Sequence, residues 1–245
     1  MKRVLEICVD SLESALIAQE AGADRIELCS CLEVGGLTPD AALFSLAREK
    51  LSIPIHVLIR PRLGNFVYTA VEQTVILRSI EYCRQHGADA VVIGALSPKN
   101  ELDQDFLLEM REVASSMSIT FHRAFDVVEN PLKALKQLNE LDMARVLTSG
   151  QKSAAIDGIP LLKRLKEQPS NVKILAGGGV ISQNVTQLLD AGIAEVHASA
   201  RQPVSQTTTT SKIAFSKLKP DEYRLASFQE IVNLRNQLNN HQPYV

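Results

Sequence analysis

The sequence lacks the marks of a membrane or secreted protein. It has no apolar run of about 18 residues, the least that a membrane-spanning helix needs. Its amino terminus carries Glu6 and Asp10 where a signal peptide needs an unbroken apolar stretch. We therefore expect a cytoplasmic protein that has no membrane partner.

An excess of charge of one sign is also missing. Lys plus Arg number 26 and Asp plus Glu number 28, which gives a formal net charge of -2. A chain so close to neutrality has no overall attraction to polyanions, so we expect no nucleic-acid partner. Any ligand must be recognised by a local group of residues.

Cysteine is sparse, with four residues in a chain of 245: Cys8, Cys29, Cys31 and Cys83. Small secreted domains that depend on disulfides carry them at much higher density. No compact Cys-x-x-Cys pattern is present either. We therefore interpret the four side chains as reduced thiols, each to be considered singly.

Short apolar runs that suit buried strands alternate with amphipathic segments along the chain. The strings EAGADRIELCS, QHGADAVVIGAL and DAGIAEVHASA repeat one pattern, in which a helix ends near a Gly and a strand follows. The other predicted strands are VLEICV, IPIHVLIRP, SITFHRAF, ARVLTSG and VKILAGGGV. This makes eight strands with seven amphipathic segments between them.

This alternation predicts an α/β protein with a parallel sheet, and a closed (β/α)8 TIM barrel fits best because such barrels have about 250 residues. A doubly wound open sheet is the alternative. No linker-like segment divides the chain, so we expect one domain over residues 1–245. We expect a long polar loop over 201–223 after the eighth strand and a final helix over 224–241.

Side chains on a strand alternate between two faces, and in a barrel one face points toward the axis. A charged side chain would be costly against the helices, so Glu6 and Glu27 are predicted to point inward. The same parity turns Cys8 and Cys29 inward. Arg60 on the third strand is predicted to neutralise one of the two acids, although a structural ion pair that involves Glu6 is an alternative.

Further polar residues collect at the carboxyl-terminal ends of the predicted strands, whereas the strand interiors are expected to be almost wholly aliphatic. His122 is predicted to point inward, with Arg123 and Asp126 at the rim. In TIM barrels this end holds the active site. We expect catalytic roles for Glu27, His122 and Asp126, and ligand binding by Glu6, Arg60, Arg62, Arg123, Thr148, His197 and Ser199.

Three glycines, Gly177, Gly178 and Gly179, follow the seventh predicted strand. We expect them to open a helix and to offer backbone N–H groups to an anion, at a position where many barrels bind phosphate. The alternative is that they only permit a tight turn.

Cys8 and Cys29 form a candidate metal site. They share parity on neighbouring strands, which lie about 4.8 Å apart, and soft thiolates favour Cu(I). A free cysteine is also common as a small buried apolar residue, which is the alternative here.

Several strings together resemble the copper homeostasis protein CutC family: EICVDSLESALIAQEAGADRIELCSCLEVGGLTP, IHVLIRPRLGNFVY, ADAVVIGAL, ITFHRAFD, RVLTSG and AGGGV. The resemblance covers about residues 4 to 200. It implies a TIM barrel, a cytosolic location, self-association and a role in copper handling. Cys31 departs from the glycine that the pattern suggests. The family's recurring positions correspond here to Glu6, Glu27, Cys29, Arg60, Arg62, His122, Arg123 and Asp126.

Two functions follow as predictions. The first is copper homeostasis, with Cu(I) as the cofactor, held by Cys8 and Cys29. The alternative is an enzyme that acts on an anionic or phosphorylated small molecule at the barrel mouth, which the arginines favour because they would repel a metal cation. A noncatalytic binding module fits a polar mouth less well. We expect a homodimer or a higher homo-oligomer.

Overall fold

A computed structural model of the chain describes residues 2–204 and 223–242. Eight parallel strands pair in sequence order and close into a barrel, which confirms the predicted single-domain TIM barrel and excludes the open sheet. The strands are β1 (Val4–Val9), β2 (Arg25–Leu28), β3 (Ile55–Leu58), β4 (Ala90–Ile93), β5 (Ser118–Phe121), β6 (Arg145–Thr148), β7 (Lys173–Gly177) and β8 (Glu195–Ala198).

Seven helices connect these strands and an eighth lies near the carboxyl end of the chain. They are α1 (Leu12–Glu20), α2 (Ala41–Lys50), α3 (Ala70–Gln85), α4 (Gln104–Ala114), α5 (Pro131–Glu140), α6 (Ile159–Lys166), α7 (Val185–Asp190) and α8 (Phe228–Asn240). Local sequence sets several helix starts. Thr69 and Glu72, for example, form a capping box at the start of α3, which satisfies two N–H groups that the helix leaves unpaired. None of the helices in the described ranges is long and apolar enough to cross a membrane.

The two faces of the strands have different surroundings. On β1, Leu5, Ile7 and Val9 belong to the large apolar core that also contains helix residues such as Ala15 and Ala18. The alternate residue Glu6 lies close to side chains of β2, β3 and β8. Because β3 is not a neighbour of β1, this contact passes through the barrel interior. Glu6 therefore points toward the axis, as the alternation predicts.

The amino-terminal half of the barrel interior is charged, so the expectation of an almost wholly aliphatic interior was wrong. Glu195 accepts hydrogen bonds from Arg25 at 2.9 Å and from Arg145 at 2.8 Å, and Lys173 lies 3.5 Å away. Arg25 also donates to Glu6 at 2.5 Å. Arg25 and Glu195 are only 4% and 5% exposed, and this cluster can exist there because each buried charge faces an opposite one.

The end of the chain differs from the predicted boundaries. Strand β9 (Arg201–Pro203) pairs antiparallel with β10 (Arg224–Ala226). The first residues of the predicted loop over 201–223 therefore form one strand of a two-stranded ribbon, and the second strand follows directly after the loop. The rest of that loop, 205–222, falls outside the described residues. Helix α8 begins at Phe228 rather than at 224, because Ser227 caps it by accepting a hydrogen bond from the N–H of Glu230.

Candidate functional site

A cavity of about 680 Å³ opens at the carboxyl-terminal ends of the strands. It gathers residues from opposite sides of the barrel. Of the predicted site residues, the structure brings nine to its wall: Cys8, Glu27, Arg60, His122, Arg123, Gly178, Gly179, His197 and Ser199. It does not bring Glu6, Cys29, Arg62, Asp126, Thr148 or Gly177 to the wall.

Glu6 lies beneath the cavity and is fully buried. Its carboxylate is 2.5 Å from Arg25 Nε, 2.7 Å from His197 Nδ1 and 3.4 Å from His56 Nδ1. Burial alone would raise the pKa of Glu6, but Arg25 and the two histidines outweigh burial and hold the pKa well below its usual range. Glu6 is therefore a buried anion that orients His197 from below, and its cationic partner is Arg25 rather than the predicted Arg60.

Cys8, Glu27 and Cys29 form one side of the site, here called the thiol wall. The Cys8 thiol donates a hydrogen bond to Glu27 Oε1 at 3.2 Å, and its Sγ lies 3.7 Å from Cys29 Sγ. Cys29 is fully buried just beyond the end of β2, where its thiol faces the carbonyl of Val9 at 3.5 Å. The hydrogen bond between Cys8 and Cys29, together with burial, raises the pKa of Cys8 well above its usual range.

Glu27 has one unused oxygen. Its Oε2 atom is buried and has no hydrogen-bond partner. Burial raises the pKa of Glu27, and the nearby negative charge of Glu6 adds to this effect, while His197 opposes it. The Glu27 carboxyl is therefore easier to protonate than an ordinary glutamate, which suits a group that exchanges a proton with a ligand.

His197 completes the only group of His, Cys, Asp and Glu side chains in the described ranges that is compact enough to share a metal ion. Ligand atoms of Cys8, Glu27 and His197 all lie within 4.8 Å of one another. Burial acts against the protonated ring, but Glu27 and Glu6 raise the pKa of His197 above its ordinary value. The thiol wall and His197 thus offer sulfur, nitrogen and oxygen donors at one place.

His122 stands at the end of β5 and is 5% exposed. Its Nδ1 accepts the backbone N–H of Ala124 at 3.1 Å, which places the ring proton on Nε2. Burial and the positive charge of Arg60 lower the pKa of His122 to about 3, so the ring is neutral. Its Nε2 is buried and makes no hydrogen bond.

Arg60 also lines the cavity, and like His122 it contacts the ring of Phe66. Its guanidinium lies 5.3 Å from the centre of the Phe66 ring, and the His122 ring is 4.9 Å from that of Phe66. Arg60 Nη1 donates to the carbonyls of Val34 and Gly36 at 3.2 and 3.1 Å. These carbonyls fix the guanidinium without neutralising its charge.

Comparison with known proteins places this architecture in a family. Residues 3–202 match the CutC family over most of the chain. The chain belongs to the CutC family. A CutC family protein of Erwinia tasmaniensis is 41% identical over 220 residues, which is 90% of this chain and 88% of that protein. The human protein named "Copper homeostasis protein cutC homolog" is 42% identical over 200 residues, 81% and 73% of the two chains.

Solved structures agree with the fold. A CutC structure from Streptococcus agalactiae is 30% identical, has a TM-score of 0.77, and matches 80% of this chain and 98% of its own. Phosphoribosyl anthranilate isomerase from Thermus thermophilus matches 96% of this chain and 98% of its own with a TM-score of 0.59. At 14% identity that second similarity shows the barrel fold alone.

Arg123 and Asp126 organise the rim in this member of the CutC family. Arg123 Nε donates to Asp126 at 2.7 Å and Nη2 donates to Ser149 Oγ at 2.9 Å. Asp126 also accepts hydrogen bonds from Thr148 Oγ1 at 2.5 Å and from the N–H of Gln151 at 3.1 Å. Asp126 and Thr148 therefore hold the loop after β6 beside the cavity, and these hydrogen bonds engage both carboxylate oxygens of Asp126.

The glycine segment does not open a helix as predicted. Gly177 is the last residue of β7, and α7 begins only at Val185. A side chain at Gly177 would place its Cβ 2.6 Å from Leu147 Cδ1 and 3.1 Å from His197 Cβ, so this glycine makes room for His197. Gly178 and Gly179 line the cavity with φ values of 113° and 67°, a region that favours glycine.

Two further positions discussed with the family resemblance, Arg62 and Cys31, do not line the cavity. Arg62 pairs with Glu72 and lies over the ring of Tyr68, away from the cavity wall. Cys31 is exposed and has a φ of 53°. This left-handed backbone favours glycine, the residue that the sequence resemblance led us to expect at this position.

Sequence reasoning missed Arg25, Phe66 and Arg201. Arg25 could have been found, because it shares parity with Glu27 on β2. Arg201 lines the cavity and pairs with Glu33, a contact between segments far apart in the chain. No local pattern of the sequence indicates such a contact.

Proposed function

We propose that this chain takes part in copper homeostasis by binding Cu(I) at Cys8 and Cys29. The observation that carries the proposal is the 3.7 Å separation of the two Sγ atoms, one of which belongs to a residue on the cavity wall. The name of the human relative gives the same role for that protein. Two thiolates are soft ligands, which Cu(I) prefers to hard oxygen donors.

The residues around the thiols fit such a cargo. Copper binding requires that the thiols lose their protons, and the raised pKa of Cys8 means that this thiol is protonated at neutral pH. Glu27 Oε1 already accepts the Cys8 proton in a hydrogen bond at 3.2 Å. His197 offers a nitrogen donor beside the same thiol. We therefore expect copper affinity to rise with pH.

Anaerobic Cu(I) titration against a competing chelator tests the proposal. We expect tight binding by the unaltered chain and loss of that binding in Cys8→Ser and in Cys29→Ser. Cys83→Ser is the matched control, because Cys83 is also buried but lies in α3. Equal affinity in all four proteins would reject Cu(I) binding at the thiol wall.

A second candidate function is an enzyme that acts on an anionic or phosphorylated small molecule. It is favoured by Glu27 Oε2 and His122 Nε2, two buried polar atoms without partners in residues that line the cavity. A volume of about 680 Å³ is far larger than an ion needs and falls within the range of about 300–1,000 Å³ typical of small-molecule sites. In this function Glu27 exchanges a proton with the substrate, and Asp126 positions Arg123.

A thermal-shift screen of phosphorylated and carboxylated metabolites tests this second function, because a ligand that binds only the folded chain raises its melting temperature. Hits that depend on cavity residues would support it, and a complete absence of hits would count against it. Cytoplasmic location and assembly into a homodimer or a higher homo-oligomer also belong to the proposal and remain predictions from the sequence. Size-exclusion chromatography with light scattering measures the assembly directly.

A further inference from the structure

The cavity is also lined by Arg60, Phe66 and His122, here called the donor wall. Only 5% of His122 is exposed. Its ring proton is on Nε2, because Nδ1 accepts a hydrogen bond from the N–H of Ala124. That Nε2–H group has no acceptor in the described part of the chain. A buried donor without an acceptor is costly, and folded proteins rarely keep one without a reason.

The packing around His122 holds the unpaired group in place. A Cβ at Gly94 would lie 2.4 Å from His122 Cε1 and 3.1 Å from Nε2, so the ring lies directly against this glycine. Phe66 contacts the ring, with the two ring centres 4.9 Å apart. The imidazole therefore cannot turn freely to find another acceptor.

Arg60 differs from three other arginines at this end of the barrel. Arg62 pairs with Glu72, Arg123 with Asp126, and Arg201 with Glu33. In the ranges that the structure describes, Arg60 has no carboxylate within ion-pair distance and donates only to backbone carbonyls. Its Nε atom is buried and unpartnered. A fixed positive charge without a counter-charge suits an anionic ligand.

We propose that the donor wall binds the oxyanion of a small organic acid, a carboxylate or a phosphate ester, with Arg60 supplying the charge and His122 Nε2–H donating to a ligand oxygen. The proposal rests on the second candidate function and names the ligand class and the two residues that recognise it. Phe66, which contacts both residues, provides an apolar surface for the carbon skeleton of the ligand.

Isothermal titration of the full-length chain with pyruvate and with methyl phosphate tests the proposal, with glycerol as the uncharged control probe. We expect at least one of the two anions to bind and glycerol not to bind. Binding of pyruvate alone identifies a carboxylate site, and binding of methyl phosphate alone identifies a phosphate-ester site. Absence of binding by both anions would overturn the proposal.

Variants assign the binding to the donor wall. His122→Phe and Arg60→Gln are each expected to weaken anion binding by about tenfold or more, the usual effect of losing a hydrogen bond to a charged group. Gly94→Ala is expected to weaken it as well by displacing the His122 ring. The matched controls are His86→Phe and Arg78→Gln, whose wild-type side chains lie on α3 or its cap, outside the cavity.

Folding is checked by circular dichroism, and if His122→Phe fails to fold, Arg60→Gln carries the test. Unchanged anion binding in Arg60→Gln would overturn the proposal. A Cys8→Ser, Cys29→Ser double variant separates the two functions. We expect it to lose Cu(I) binding and to keep anion binding, whereas loss of anion binding in this variant but not in Arg60→Gln would place the anion on the thiol wall and refute the inference.

Discussion

His197 Nδ1 lies 2.7 Å from Oε1 of Glu6, in the layer directly beneath the cavity. The two residues stand opposite each other in the β1–β8 pairing, so the backbone register brings them together. Because Glu6 occupies Nδ1, the other nitrogen of His197 is the one available to the cavity. The buried acid thereby determines how the imidazole is presented to a ligand.

Removal of the Glu6 charge should destabilise the whole fold. In Glu6→Gln, Arg25 loses a buried counter-charge and His197 loses its anionic acceptor, so we expect the free energy of unfolding to fall by about 3 kcal/mol. Urea denaturation measures the change. The matched control is Glu49→Gln, an exposed acid paired with Lys50, for which we expect no measurable change. Equal stabilities for the two variants would contradict the structural role of Glu6.

The pKa values of the two cavity histidines are shifted in opposite directions. His122 has a pKa of about 3 and should stay neutral from about pH 5 to about pH 8, whereas His197 should titrate above the ordinary value of 6.5. Histidine NMR signals followed across this range provide the measurement. A His122 signal that titrates near 6.5 would contradict the buried, neutral ring.

The same pKa shifts predict how stability depends on pH. The unfolded His122 binds a proton at pH values below 6.5 that the folded ring refuses until about pH 3, so its contribution favours unfolding as pH falls through this window. The raised pKa of His197 acts in the other direction, because its contribution is present below 6.5 and is lost as pH rises through the folded value. Urea denaturation of His122→Phe and of the unaltered chain at several pH values isolates the contribution of His122. The destabilisation that His122 causes at low pH should shrink as the pH rises above 6.5.

Thiol labelling should separate Cys31 from the other three cysteines. Cys31 is exposed, whereas Cys8, Cys29 and Cys83 are buried, and the pKa of Cys8 and of Cys83 is raised. Iodoacetamide should therefore modify Cys31 first, as measured by mass spectrometry, because the reagent needs an accessible thiolate. Chain labelled only at Cys31 should bind Cu(I) as tightly as unlabelled chain. Early labelling of Cys8 would instead indicate that the thiol wall is open to solvent.

Asp126→Asn tests whether this residue positions the rim. The variant keeps the shape of the side chain but removes the charge that holds Arg123 and accepts from Thr148 and Gln151. We expect a loss of about 2 kcal/mol in the free energy of unfolding, typical of weakened hydrogen bonds to a charged group. Chemical denaturation measures it, with Asp105→Asn in α4 as the control. A fully stable variant would contradict this positioning role.

The barrel could be predicted from sequence because its signals are local and repeated. Each strand is a short apolar run after a helix end, and the alternation of side chains places Glu6, Glu27 and Cys8 inside. The partners of these residues were harder to predict. Arg60 on β3 was expected to neutralise an acid, but Arg25 stands directly opposite Glu6 in the β1–β2 pairing and takes that place.

The unpredicted parts depend on register and on contacts across the barrel. The rule that turns a strand acid inward applies equally to Arg25, Arg145 and Glu195, which together make the amino-terminal half of the barrel interior charged. The glycine segment after β7 is different in kind. Its backbone turns before α7 begins at Val185, and nothing in a run of three glycines specifies where the next helix starts.

The layer of charges formed by Arg25, Arg145 and Glu195 closes the amino-terminal end of the barrel. In the described part of the chain, the cavity above this layer opens at the carboxyl-terminal ends of the strands. Exchange of whatever the thiol wall holds takes place at that end. A bulky molecule seated at that opening would delay the exchange of whatever lies beneath it, even without touching Cys8 or Cys29.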